Sequence, residues 1–97
     1  MVLEIMTQDG RNATKPYRVR AGGVWYWVDP SVPARDIEPG DNVVLYPVSG
    51  EPAVAVLRSR PDAANAPFRF STDDGTFEVD RRDIAALHLA AIDDVQA

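Results

Sequence analysis

The chain has no cysteine among its 97 residues. That excludes a disulfide framework, a thiolate metal site and a cysteine nucleophile, and it fits a reducing compartment. Histidine occurs once, at His88, and lysine once, at Lys15, so sites that need paired imidazoles or a cluster of ammonium groups have no material. No apolar run approaches the roughly 18 residues of a membrane span. Met1 to Gly10 lacks the basic-then-apolar order of a secretory leader, so a cytoplasmic location is expected. Positive charge is also short. Fifteen acids against ten bases leave a net charge of −5, whereas nucleic-acid binders bring a basic face to the phosphates. Direct DNA or RNA binding is therefore not expected.

What is present points to one folded unit, residues 1–97. The hydrophobic share is 45%, and a chain of this length buries roughly two thirds of the surface its unfolded form exposes. Eight prolines and six glycines cut it into pieces too short for long helices.

The pieces read as strands. Val2 to Met6 is a short apolar run, followed by turn chemistry over Gln8 to Asn12. Tyr17-Arg18-Val19-Arg20 alternates as a half-exposed strand does, and Gly22-Gly23 turns the chain. Val24-Trp25-Tyr26-Trp27-Val28 is entirely β-branched or aromatic. It is apolar on both faces, so either both sides are covered or Trp25 and Trp27 face a partner. Pro39-Gly40-Asp41-Asn42 is a turn that launches Val43 to Pro47. Ser49-Gly50-Glu51 leads to the return strand Ala53 to Leu57. A loop over Asp62 to Pro67 precedes Phe68 to Thr72 and Thr76 to Val79, joined at Asp73-Asp74-Gly75. The tail, 83–92, supports a helix by its alanine content and a strand by the needs of the sheet; a final strand is preferred. The expected fold is a single small, mostly β, antiparallel domain.

Few residues offer chemistry. His88 sits in an apolar tail without the companions a base or metal ligand needs, and reads as a core histidine. Asp73, Asp74, Glu78 and Asp80 lack the spaced oxygen ligands of a calcium loop and read as a solvated turn. No metal and no cofactor is expected. The serines at 31, 49, 59 and 71 need an activating base, and Lys15 lies in a polar loop. Trp25, Tyr26, Trp27, Tyr46, Phe68 and Phe70 form either core, as rings on short strands commonly do, or a cage for a cationic group.

One ordered series of segments is familiar. Gly23 to Pro30, then Ile37-Glu38-Pro39-Gly40-Asp41-Asn42-Val43-Val44, Ser49-Gly50-Glu51, Val54-Ala55-Val56-Leu57, Phe68 to Asp74 and Asp83 to Ile92 together resemble the LexA-like serine peptidase domain of LexA, UmuD and lambda-type repressors. The resemblance covers roughly residues 5 to 92 and implies a β-clip, barrel-like architecture. It implies a serine–lysine dyad as well, and here the chain departs. Ile5, before Met6, stands where the family carries its nucleophilic serine, and Ala55 stands where it carries its lysine. Neither side chain can act as nucleophile or base. The family's helix-turn-helix half is likewise not expected, the domain starting at Met1.

The expectation is thus a non-enzyme: a pseudo-peptidase domain that binds protein. By the resemblance it forms a homodimer or pairs with a repressor or peptidase-like partner, as a phage or mobile-element regulator of transcription would. Trp25, Trp27, Tyr46, Leu87 and Leu89 are the interface candidates. The alternative is a small barrel-like module that reads a cationic or modified peptide with its aromatic rings.

Overall fold

The computed structural model describes residues 5–6, 10–60 and 66–93. Eight strands form one antiparallel sheet: β1 (Ile5–Met6), β2 (Tyr17–Ala21), β3 (Val24–Asp29), β4 (Asn42–Pro47), β5 (Ala53–Ser59), β6 (Phe68–Thr72), β7 (Gly75–Val79) and β8 (Ile84–Ile92). Short 3-10 turns at Gly10–Asn12, Ala34–Asp36 and Arg81–Asp83 are the only helical pieces among the described residues, and none is long or apolar enough to cross a membrane. The mostly β expectation holds, and the ambiguous tail is a strand. Val2 to Glu4 and most of the Asp62 to Pro67 loop lie outside the described residues.

The turns follow from local chemistry. Gly22 and Gly23 both take positive φ, +59° and +77°, as a two-residue type I′ hairpin requires. Between Glu38 and Asp41 the backbone closes a turn at 3.1 Å. Proline fills its second position, and Gly40, at φ +100°, fills the third, which type II turns reserve for glycine.

The strand order is β1-β2-β3-β8-β4-β5-β6-β7. Two meanders, β1 to β3 and β4 to β7, are joined by the last strand, which pairs with β3 on one side and β4 on the other. Alanine in β8 does not prevent this, because pairing on both edges and burial on both faces override intrinsic propensity.

Apolar side chains form two clusters on opposite faces. The first holds Tyr17, Val19, Ala21, Tyr26, Val28, Val44, Tyr46, Val54 and Ala90. The second holds Ile37, Val43, Leu45, Ala55, Leu57, Phe68, Phe70 and Leu87. Strand β4 serves both, since Val43 to Tyr46 are four consecutive buried residues whose side chains alternate across the sheet. The connection after β3 covers the second face. Ile37 is fully buried there, and the Arg60 guanidinium holds that segment by donating to the carbonyls of Arg35 and Ile37.

Candidate functional site

Strand β3 decides which aromatic rings are surface. Its register sets Trp25 opposite Arg20 and Trp27 opposite Arg18 on β2, and Trp27 opposite Ala91 on β8. Cross-strand partners share a face, so Arg18, Arg20, Trp25, Trp27 and Ala91 form one strip on the reverse of the first cluster. Within it Arg18, Arg20 and Trp25 are half-buried, and Trp27 remains 48% exposed.

The strip is held in place electrostatically. The Arg18 guanidinium carbon lies 4.4 Å from the Trp25 ring centroid, and that of Arg20 lies 6.0 Å away. Arg18 also pairs with the Asp93 carboxylate at 2.9 Å, and the Asp93 amide donates to the Trp25 carbonyl at 2.9 Å. Asp93 is only 5% exposed, so its charge needs that partner. The Arg18 side chain is 38% exposed, which screens the pair and limits its worth to about 1–2 kcal/mol. At the far end of β3 the Asp29 carboxylate accepts from the Ser31 hydroxyl at 2.6 Å and from the Ser31 amide at 3.0 Å. These bonds stabilise the ionised form and hold its pKa below the usual carboxylate value.

The five interface candidates separate by face and depth. Trp25 and Trp27 share the strip. Leu89, opposite Asp29, is half-buried on the same face, against the edge of the second cluster. Tyr46, 2% exposed, and Leu87, 7% exposed, lie inside the protein and present no surface, because β4 and β8 are central strands covered on both sides.

Tyr46 belongs instead to a buried polar network that the sequence does not advertise. Its hydroxyl lies 2.6 Å from that of Tyr17, which lies 2.7 Å from His88 Nδ1. Tyr17 has one proton to give. A chain in which Tyr46 donates to Tyr17, and Tyr17 donates to an unprotonated Nδ1, satisfies both contacts with a neutral imidazole. Burial lowers the His88 pKa. It also raises that of Tyr17, assisted by the bond to Tyr46. Tyr17 and His88 are therefore both neutral near pH 7. His88 is a core histidine with a named partner, as expected for its apolar surroundings. The partner is 71 residues away, which is why only the parity of β8, with His88 opposite Val44, connects them.

Ser71 Oγ accepts from Arg58 Nε at 2.7 Å, and Ser31 is bound to Asp29. Among the described residues no group of three or more His, Asp or Glu is placed to hold a metal ion. Ala55 is buried in the second cluster and pairs with Val43. Ile5 lies on the edge strand β1, and four strands separate β1 from β5 in the sheet.

No protein family, curated protein or solved structure was found to match the chain.

Proposed function

We propose that this chain is a non-catalytic association module that binds protein through the Trp25–Trp27 strip, in the first place a second copy of itself. The observation that carries the reading is Trp27. It sits at the middle of a strand paired on both sides, yet is 48% exposed. Tryptophan and arginine are the residues that dominate protein interfaces when a partner covers them.

A two-fold contact needs a patch complementary to itself, and the charges of the strip meet that need. Arg20, beside Trp25, has no carboxylate partner among the described residues. Asp29, two residues beyond Trp27, is held ionised. An axis through Trp27 sets the two indoles together and brings each Arg20 toward the other copy's Asp29. The LexA-like resemblance supports the reading from the sequence side: with isoleucine and alanine at the dyad positions, association is the property that remains. In that setting the chain is a cytoplasmic regulator that pairs with itself or with a repressor-like or peptidase-like protein. Capture of a cationic peptide has less support, because Arg18 already covers the Trp25 ring.

Sedimentation velocity from micromolar to millimolar protein tests the proposal. A concentration-dependent dimer is expected. Arg20→Glu should abolish it and Arg20→Glu with Asp29→Arg should restore it. A chain that stays monomeric over that range ends the self-association reading.

A further inference from the structure

The first face carries a second feature, independent of the tryptophan strip. A cleft of about 200 Å3 lies where β3 and the β6–β7 turn approach each other. Tyr26 bounds it from β3, Arg58 from the end of β5, and Asp73 from the turn. Its floor is a row across three strands, since Asn42 pairs with Val56 and Val56 pairs with Ser71.

The polar groups around this floor are not used up by the fold. Arg58 Nε donates to Ser71 Oγ at 2.7 Å, which fixes the guanidinium and leaves its terminal amino groups without a partner among the described residues. The Asn42 amide, the Asp73 carboxylate and the Tyr26 hydroxyl likewise form no hydrogen bond to another described residue. Tyr26 is 7% exposed as a residue, and its hydroxyl is the part that reaches the cleft, since it is not among the buried polar atoms left without a partner. Its phenol pKa is raised, first by burial and then by the negative charge of Asp73, which places that carboxylate within electrostatic reach across the opening.

Arg58 and Asp73 thus line one small cleft without pairing with each other. A lone anion entering it meets the repulsion of Asp73, and a lone cation that of Arg58. A ligand with both charges satisfies both walls. The volume lies below the ~300–1,000 Å3 of sites for drug-sized molecules, which limits the ligand to a few heavy atoms. We infer that this cleft is a binding site for a small zwitterion of the α-amino acid class. Its carboxylate lies on the Arg58 guanidinium and its ammonium group on Asp73. The Asn42 amide and the Tyr26 hydroxyl complete the ring of contacts above Val56.

The test is an NMR titration of the intact chain with glycine and L-alanine, using acetate and methylammonium as single-charge controls at constant ionic strength. The amino acids should give saturable amide shifts centred on Asn42, Val56, Arg58, Ser71 and Asp73. Each control should bind about tenfold more weakly or worse, as losing a charge-assisted contact implies. Arg58→Gln and Asp73→Asn should each weaken binding by a similar factor without moving the melting temperature, since both side chains are exposed. Shifts that fail to saturate, equal binding of acetate, or full binding by Arg58→Gln overturns the proposal. Saturable shifts from a peptide but from neither amino acid also overturn it, by moving the site to a partner's chain. The oligomeric state has no bearing on any of these outcomes, because the cleft and the strip lie on opposite faces.

Discussion

Phe70 and Trp27 sit on the same face of one sheet and live in different surroundings. Phe70 is fully buried in the second cluster. It packs against Phe77 and Phe68 at centroid separations of 5.7 and 6.1 Å, under the connection pinned by Arg60. Trp27, on β3, has β2 and β8 beside it and is 48% exposed. The difference is topological. Placing β8 between the two meanders makes a continuous sheet, but the segment after β3 packs against β8 and sends Ile37 into the cluster that β4 and β5 supply, while on β2 and β3 the same face carries the half-buried Arg18, Arg20 and Trp25 and the exposed Trp27. A large ring is thus stabilising in one place and available for binding in the other, although the two segments look alike in hydrophobicity.

The sharpest way to break that comparison is to truncate the covered ring. Phe70→Ala removes a fully buried side chain and opens a cavity, which costs about 3–5 kcal/mol. A domain of this size should then lose more than about 12 °C in melting temperature, at roughly 4–8 °C per kcal/mol. Thermal unfolding by circular dichroism reads the effect directly. A loss below about 1 kcal/mol would mean that the second cluster is not the core it is taken to be.

The next effect concerns the first face and depends on pH. His88 is neutral in the folded chain, with its pKa lowered by burial from 6.5. Above that value neither folded nor unfolded chain binds a proton there, and stability is unaffected. As pH falls through 6.5 the unfolded chain takes up the proton first, so stability declines with falling pH until the folded pKa is reached. One proton sets the limit at about 1.4 kcal/mol per pH unit. Denaturant midpoints measured from neutral to mildly acidic pH should show this decline. His88→Gln should flatten it, whatever that substitution does to the absolute stability. An unchanged slope in His88→Gln assigns the acid sensitivity to the carboxylates instead.

These features differ in how far the sequence reveals them, for a physical reason. Strands whose signal is local were legible: the all-apolar run at β3, the alternation at β2 and β6, and turns at Gly22-Gly23 and Pro39-Gly40. The two-sided apolarity of Val24 to Val28 even posed the question that the strip answers, with Tyr26 and Val28 buried and Trp27 exposed. Strand order was not legible, because the position of β8 depends on pairing between segments far apart in the chain, and its alanines carry no local sign of it. Tyr46 and Leu87 therefore looked like surface candidates when they are core. The Tyr17–His88 bond and the row Asn42–Val56–Ser71 were hidden for the same reason. Each joins residues whose meeting follows from register, which no local pattern states.

The smallest effect on stability is expected where the effect on association is largest. Trp27→Thr keeps a β-branched residue on β3, preserves the strand's fit to the pleat, and removes a side chain that is already 48% exposed. Measured at a concentration where the chain is monomeric, the change should stay below about 1 kcal/mol. Measured at high concentration, the same variant should lose the dimer. Only a side chain whose burial is supplied by a second molecule gives both results together. If Trp27→Thr instead costs as much as Phe70→Ala in the monomer, the indole is core to its own chain, and the contrast between the two rings is gone. A variant with wild-type stability and wild-type association leaves the contrast standing but moves the interface elsewhere, since the strip would then be exposed without being used.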